Sequence, residues 1–241
     1  MLEPSAEYLS SLPFMAISGN HCSHYGGRNY NTYKHFDVKK PSQDLKSGYY
    51  YSFEYSNAKF VMLDTNTVTD ENKLTDEQYY WLINELETND KQWLIVAMHN
   101  PMYSVGKYGA DPEKNAIAMA LKEQLNDVFV EYGVDLVLEG HDHVYSYTYP
   151  IAKGNTPLED AATDGNYYVN PKGVVYAMHG PAGNQARGPY KTDSDVYKYA
   201  AIGVNGSWAE INIDGNKLTV NVIKYMEGAP QVAFSYGIIK E

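Results

Sequence analysis

The sequence has little cysteine, no long apolar run and no block of basic residues. Its 241 residues contain one cysteine, Cys22, which excludes a disulfide framework or a cysteine-based zinc site within one chain. No apolar stretch approaches the roughly 20 residues that a membrane-spanning helix needs. The formal net charge is -11 and Lys and Arg do not cluster, which argues against a general binder of nucleic acid or membrane surfaces. Phosphate chemistry stays open, because a bound metal ion can supply local positive charge.

Tyrosine is abundant, with 24 residues against six phenylalanines. A tyrosine-rich, acidic and cysteine-poor chain favours a secreted or cell-surface bacterial protein over a cytoplasmic one. No signal peptide is recognisable after Met1, and we interpret the opening Met-Leu-Glu-Pro as an arbitrary start that leaves room for a targeting segment upstream.

Alternating strand and helix patterns run through the middle of the chain. The patterns predict strands at 13–18, 49–55, 59–64, 93–98 and 136–138, helices at 78–87 and 112–132, and a loop over 22–47. A capping-box signature, Thr75-Asp-Glu-Gln78, opens the first helix, and Gly133 follows the second. From residue 173 onward the pattern is strand-rich, with Asp214-Gly215 as a hairpin turn. We interpret residues 1–241 as one layered α/β domain.

Histidines follow several of these predicted strands. His21 comes after the first strand, His99 after Trp93-Leu-Ile-Val-Ala-Met98, and His141 and His143 after Val134-Asp-Leu-Val-Leu138. His179 follows a later strand in the same manner. Each histidine alone is compatible with an ordinary hydrogen-bonded or surface residue. Because ligands bind beyond the carboxyl ends of strands in α/β sheets, three such segments together predict a metal site at one sheet edge.

The types of side chain at these positions narrow the choice of metal. Asn20 offers a carbonyl oxygen, whereas His99, His141 and His143 offer imidazole nitrogens. This mixed set suits zinc, iron or manganese better than calcium or magnesium.

Three short motifs then point to a family. Gly19-Asn-His21, Ala97-Met-His99-Asn-Pro-Met-Tyr103 and Gly140-His-Asp-His143-Val-Tyr145 occur in this order. In order and spacing they resemble the motifs of the calcineurin-like metallophosphoesterases, and most closely the purple acid phosphatase branch. The resemblance runs from about residue 13 to 223. It implies a four-layer αββα sandwich with mixed sheets, and hydrolysis of phosphate monoesters by a metal-bound hydroxide at a dinuclear site.

The resemblance also implies roles for individual residues. Asn20, His99 and His141 would ligate one metal and His143 the other, while His21 would lie near the phosphate and stabilise or protonate the leaving group. The full-length parent would hold two divalent or trivalent ions of iron, zinc or manganese. Asp142 is expected to be a bystander.

The sequence departs from the family pattern in three places. It contains no Asp-x-His motif and no Gly-Asp dipeptide, so the bridging aspartate of the family has no counterpart. We therefore interpret the chain as the C-terminal portion of a phosphoesterase, truncated at its first strands, which holds at most one metal well. Cys22 stands where the family has an acid, and we interpret it as a tolerated loop variant. After His99 no further histidine follows, which leaves Tyr103 and Lys107 as candidate substrate-side residues.

Two functions remain in competition. The first is a metal-dependent phosphoesterase acting on phosphate esters, of which this chain carries an incomplete site with little turnover. The second is a non-catalytic binding or structural module derived from a phosphoesterase. In either case no nucleic acid is expected as a structural partner, and the loss of first strands would expose an edge that favours self-association.

Overall fold

The structure is a computed structural model, and it describes residues 7, 10–23, 32, 35–37, 41, 48–190 and 195–241. His24 and most of the loop predicted over 22–47 lie outside the described residues. The strands are β1 (Tyr51–Tyr55), β2 (Ala58–Met62), β3 (Trp93–Ala97), β4 (Leu136–Glu139), β5 (Val144–Thr148), β6 (Ile151–Ala152), β7 (Thr156–Pro157), β8 (Thr163–Asp164), β9 (Tyr167–Val169), β10 (Val175–His179), β11 (Tyr197–Ile202), β12 (Ser207–Asp214), β13 (Lys217–Met226) and β14 (Ala229–Ile239). The helices are α1 (Asp76–Glu87), α2 (Lys107–Ala110) and α3 (Ala116–Glu131), and short 3-10 turns occupy Asn20–Ser23 and Lys153–Asn155.

Two mixed sheets form the centre of the molecule. The first has seven strands in the order β1-β2-β3-β4-β10-β5-β11, in which β2, β3, β4 and β10 run parallel. The second has five strands in the order β12-β13-β14-β9-β8. A small two-stranded sheet pairs β6 with β7.

The central strands of the seven-stranded sheet are buried on both faces. On one face, side chains of β2, β3 and β4 such as Val61, Val96 and Val137 pack against α1 and α3. On the other face, side chains such as Ile95 and Leu136 pack against the five-stranded sheet. Parallel strands buried on both faces account for the continuous apolar run of β3. The α/β class with mixed sheets is confirmed, and the described residues supply one helical layer and both sheets.

The start of α1 shows how a capping signature is used. Thr75 is the N-cap, and its hydroxyl accepts a hydrogen bond from the Gln78 amide at 3.3 Å. The Gln78 side chain bonds elsewhere: its Oε1 accepts from the Asp64 amide at 2.8 Å, and its Nε2 donates to the Asp64 carbonyl at 3.0 Å. Helix α1 is thereby tied to the loop that follows β2.

Two predicted elements are wrong in extent or type. Residues 13–18 contain no strand; the hydroxyl of Tyr51 donates to the carbonyl of Ala16 at 2.8 Å, and the segment packs on the sheet through side chains. The helix predicted over 112–132 begins at Ala116, because α2 and a turn precede it. The pattern across 107–115 mixes Gly, Asp and Pro, which break a helix.

The register of the parallel strands brings two later loops together. Ala97 of β3 lies opposite Leu138 of β4. Beyond the strands, the Met98 amide donates to the Leu138 carbonyl at 2.9 Å, and the Gly140 amide donates to the His99 carbonyl at 3.1 Å. The loops that carry His99 and His141 therefore leave the sheet side by side.

Within the described part of the chain, none of the helices combines the length and the apolar character that crossing a membrane requires.

Candidate metal centre

Three polar atoms converge at the carboxyl ends of β3 and β4. Nε2 of His99 lies 2.9 Å from Oδ1 of Asn20 and 3.1 Å from Nδ1 of His141. Ligand atoms held about 2.1 Å from one metal lie roughly 3.0 to 3.4 Å apart in octahedral or tetrahedral geometry. The two nitrogens and the amide oxygen therefore fit half of a metal coordination shell.

Two glycines leave room for the ring of His99. A Cβ atom on Gly19 would lie 3.1 Å from Cε1 and from Nδ1 of His99, and one on Gly140 would lie 3.3 Å from the same Nδ1. Such distances are tighter than ordinary packing, so a side chain at either position would displace the ring. Glycine at these positions of the first and third motifs is thus explained by the space that the ring of His99 needs.

The electrostatic environment favours neutral imidazoles. Burial, together with the smaller effects of the neighbouring His141, His21 and His143, lowers the pKa of His99 to about 4. Burial also lowers the pKa of His141, against the opposing effect of Asp142. Neutral imidazole is the form that binds a metal, since a protonated ring has no free lone pair.

The turn that presents Asn20 is short and locally closed. It is the 3-10 turn Asn20–Ser23, in which the Cys22 amide donates to the Gly19 carbonyl at 2.9 Å. The Gly19 amide in turn donates to Sγ of Cys22 at 3.2 Å, which gives this cysteine a structural contact. His21 is exposed in the same turn and close enough to His99 to act on its charge state.

His143 acts on the charge states of His99 and His141, but its ring contact is with another residue. Its Nδ1 contacts the carbonyl oxygen of Gln185 at 2.6 Å, and its own carbonyl accepts from the Arg187 amide at 2.9 Å. In the described ranges, no three His, Cys, Asp or Glu side chains come together as a metal-binding group. The structure brings together three of the four predicted ligands, and the fit applies to one metal.

The two predicted substrate-side residues occupy different environments. Tyr103 is buried in the core, where its hydroxyl donates to Oδ1 of Asn155 at 2.5 Å and its ring lies against Tyr176. This placement contradicts a contact between Tyr103 and substrate. The ring is buried among core side chains instead of facing the end of the sheet. Lys107 is exposed as the first residue of α2.

Sequence reasoning missed the neighbour of Lys107. The ring of Tyr108 lies against the ring of His141, with centroids 4.1 Å apart. Asp142 also has a structural part, contrary to expectation, because its buried carboxylate accepts hydrogen bonds from the amides of Tyr108 and Gly109. An aromatic residue close in sequence to a predicted ligand was the available signal, but nothing in one sequence distinguishes Tyr108 from the other tyrosines.

A cleft of about 370 Å³ opens beside the three converging atoms. One part of its wall is polar and another is apolar, and its lining consists of Gly19, Asn20, Thr65, Asn66, Asn100, Pro101, Tyr108, Lys114, Ile117, Ala118 and His141.

Hydrogen bonds between loops hold the polar wall of this cleft. Nδ2 of Asn66 donates to the carbonyl of Ser18 at 2.6 Å, and Nδ2 of Asn100 donates to the carbonyl of Thr65, also at 2.6 Å. The carboxylate of Asp64, which is fully buried, accepts from the amides of Tyr49 and Asn66. The segment that leads to Asn20 is in this way joined to the loops after β2 and β3.

Comparisons with known proteins agree with this fold and its motifs. The chain matches the calcineurin-like phosphoesterase family over residues 1–145. It is 30% identical to purple acid phosphatase 15 of Arabidopsis thaliana over 185 residues, covering 74% of this chain and 31% of the relative. It is 28% identical to human acid phosphatase type 7 over 205 residues, covering 78% of this chain and 43% of the relative.

Solved structures show the same fold. A purple acid phosphatase isolated from yellow lupin (Lupinus luteus) seeds superposes with a TM-score of 0.74 at 23% identity, covering 95% of this chain and 41% of that one. GAP50, described as the anchor in the inner membrane complex of Plasmodium, superposes with a TM-score of 0.51 at 17% identity, covering 79% of this chain and 53% of that one.

The fold and the histidine-bearing sheet edge define a metallophosphoesterase class of protein, and the chain belongs to the calcineurin-like phosphoesterase family. Its similar relatives include proteins named acid phosphatases and purple acid phosphatases. The chain spans about a third to two fifths of the length of these relatives.

Proposed function

We propose that this chain forms part of a metal-dependent phosphoesterase that hydrolyses phosphate monoesters. The observation that carries the proposal is the convergence of Asn20 Oδ1, His99 Nε2 and His141 Nδ1 within 2.9 and 3.1 Å at the end of the sheet. Family membership supports the same chemistry.

The metal proposed for these three side chains is iron, zinc or manganese. Two imidazoles and one amide oxygen form a mixed nitrogen and oxygen set, which these ions accept. When bound, such an ion would supply Lewis-acid activation of the phosphoryl group and of the attacking water. The low pKa of His99, about 4, keeps its imidazole neutral at neutral and mildly acidic pH.

Two exposed side chains near the centre, His21 and Arg187, are suited to the phosphate. His21 is exposed in the same turn as Asn20, and we propose that it donates a proton to the leaving oxygen. Arg187 is exposed, and its backbone amide donates to the carbonyl of His143. Its positive charge is one of the causes that lower the pKa of His141. We propose that its guanidinium binds phosphate oxygens, which suit its planar set of donors.

The cleft beside the centre is proposed to take the alcohol part of the ester. Tyr108, Pro101 and Ile117 offer an apolar wall, and Lys114 offers a positive charge at the same cleft. A volume of about 370 Å³ falls in the range of small-molecule sites. Lys107, exposed one residue before Tyr108, remains a proposed substrate-side residue.

A dinuclear centre is the family expectation, and here it stays a proposal. His143 would contribute its Nε2 to the second metal, since its Nδ1 contacts the carbonyl of Gln185 at 2.6 Å. The 241 residues contain neither an Asp-x-His motif nor a Gly-Asp dipeptide. We therefore propose that the chain by itself binds one metal well and turns over phosphate esters slowly, and that a second metal needs ligands from beyond these residues.

The alternative function is a non-catalytic binding or structural module. It is favoured by the lack of a bridging aspartate in this sequence. The similarity in fold to a protein described as an anchor is compatible with such a role.

Two further proposals concern the chain as a whole. We propose that its residues fold as one domain, because the two sheets share a common core. We also propose self-association through the edge at β1, with the exposed side chains of Leu12 and Phe14 as further apolar surface. Light scattering over a concentration series tests this, and a monomer at every concentration would contradict it.

The functional proposal is tested by assaying p-nitrophenyl phosphate with added zinc or manganese. We expect slow, metal-dependent turnover that His141→Ala abolishes. The control is His35→Ala, which removes an exposed histidine that does not belong to the three-residue group. Metal binding without turnover would favour the binding module. If the chain shows no metal binding and no turnover, the phosphoesterase proposal for this chain is contradicted.

A further inference from the structure

We propose that Asp142 is a positioning residue that fixes the ring of His141 by way of Tyr108. The proposal deepens the proposed metal site, because His141 is one of its three ligands. The linked observations are a left-handed backbone at His141, a buried carboxylate next to it in sequence, and an aromatic ring packed on the imidazole.

The backbone of His141 is in an unusual conformation. Its φ angle is +70°, in the left-handed region that non-glycine residues seldom occupy. Such a conformation persists only where the surroundings hold it in place, and it is found preferentially at functional sites. The Gly140 amide donates to the carbonyl of His99 at 3.1 Å, which fixes the chain on the near side of His141.

Asp142 fixes the chain on the far side. The residue is 3% exposed, and its two carboxylate oxygens accept from the Tyr108 amide at 3.1 Å and from the Gly109 amide at 3.0 Å. A buried carboxylate bonded to two amide groups cannot move without leaving those groups unpaired. Asp142 therefore joins the loop of His141 rigidly to the start of α2.

Gly106 makes the close approach of these two segments feasible. A Cβ atom at this position would lie only 2.4 Å from Cγ of Asp142. No real side chain tolerates such a distance, so any other residue would push Asp142 away from the amides of α2.

Tyr108 connects Asp142 to the imidazole of His141. Its amide is held by Asp142, and its ring packs on His141 with centroids 4.1 Å apart and an angle of 57° between the planes. The ring blocks one side of the imidazole, while His99 lies 3.1 Å from its Nδ1. The direction of Nδ1 toward His99 is thus set jointly by the strained backbone and by the packed ring.

The experiment compares Asp142→Ala with a matched control, Asp111→Ala. Asp111 is another buried carboxylate at the other end of α2, where it accepts from the Glu113 amide at 2.9 Å. Removing it costs a comparable structural hydrogen bond but leaves the link to His141 intact. Asp142→Asn keeps one acceptor oxygen and should fall between wild type and Asp142→Ala.

The first readout is manganese or zinc affinity measured by isothermal titration calorimetry. Outer residues that orient metal ligands are worth about 10- to 100-fold in affinity, and we expect a loss of this size in Asp142→Ala and in Tyr108→Ala. Asp111→Ala is expected to bind within about threefold of wild type, as a residue unconnected to the ligands should.

The second readout needs no metal. In histidine-labelled protein with a chelator present, the ring protons of His141 should be shifted upfield by the current of the Tyr108 ring. This shift should disappear in Asp142→Ala and Tyr108→Ala, and persist in Asp111→Ala.

The two readouts separate the two proposals. Wild-type protein that binds no metal would contradict the proposed function, while the resonance of His141 still decides the positioning role. A His141 resonance that stays shifted in Asp142→Ala, or a metal affinity that this change leaves intact, would overturn the inference about Asp142.

Discussion

Nε2 of His99 lies 3.1 Å from Nδ1 of His141, although 42 residues separate them along the chain. The parallel register of β3 and β4, which places Ala97 opposite Leu138, brings these rings together. The two imidazole nitrogens and Asn20 Oδ1 lie at distances that fit ligands of one cation and that hydrogen bonds between the same atoms also satisfy.

The packing of Gly19 on His99 predicts a specific loss of metal affinity. Gly19→Ala would place a methyl group 3.1 Å from two atoms of the imidazole and should displace the ring by a few tenths of an ångström. We expect metal binding to weaken about 10-fold, in line with other changes that disturb ligand orientation, with little effect on folding. Calorimetric titration of the variant measures this.

The control for that experiment is Gly183→Ala, since an added Cβ there meets nothing within 4 Å. It should bind metal as the wild type does. Equal affinity in Gly19→Ala and Gly183→Ala would show that the ring of His99 is not held as described.

The histidine at the end of β10 predicts a pH dependence of stability. Nε2 of His179 lies 2.9 Å from the hydroxyl of Tyr236 in the other sheet, and burial lowers the pKa of His179 to about 4 from an ordinary 6.5. Between these values the unfolded chain binds more protons than the native chain, so stability falls as the pH decreases from 6.5 toward 4. The upper limit of this contribution is about 3 kcal/mol, at 1.36 kcal/mol for each pH unit.

Urea denaturation at pH 7 and pH 4.5, with a chelator present, measures this contribution. His179→Gln removes the titrating ring and keeps a hydrogen-bonding side chain. Its free energy of unfolding should fall less between the two pH values than that of the wild type, and an identical fall in both proteins would contradict the prediction.

A buried ion pair predicts a large effect on stability away from the metal centre. Nζ of Lys59 lies 2.9 Å from Oε2 of Glu85, and the side chains are 6% and 18% exposed. Lys59→Met leaves the carboxylate without its cation in a largely buried position, which should cost about 3 kcal/mol. Chemical denaturation measures the change.

Lys153→Met serves as the matched control for Lys59→Met. Lys153 pairs with Glu131 at 3.0 Å, but these side chains are 55% and 62% exposed, so water screens the pair. The loss should stay below about 1 kcal/mol. Comparable losses in both variants would show that the pair on β2 and α1 is not the stronger one.

The sequence was sufficient to predict the main elements of the fold. Three local patterns predict the elements that the structure contains. They are the apolar run of β3, the alternation around Asp214-Gly215 and the N-cap at Thr75. The strand predicted at 13–18 was wrong because an apolar run becomes a strand only when a neighbour pairs with it. Strand β14 was not predicted, although Val232, Phe234, Tyr236 and Ile238 alternate along it and Glu227-Gly228 forms the turn from β13.

The candidate ligands could be proposed from the sequence because each follows a strand or a turn, and the structure brings Asn20, His99 and His141 together. The surrounding residues could not. Tyr103 is near His99 in sequence, yet its ring lies in the core against Tyr176. The position of Tyr108 depends on hydrogen bonds between its backbone and Asp142, which no pattern of residue types reveals.

The most direct test of the account is a manganese or zinc titration of the chain by isothermal calorimetry, in the wild type and in His99→Ala, His141→Ala and His143→Ala. Asn20, His99 and His141 predict one metal for each chain, with binding lost in the first two variants and largely kept in the third. Binding that survives both His99→Ala and His141→Ala, or no binding by the wild type, would contradict the account.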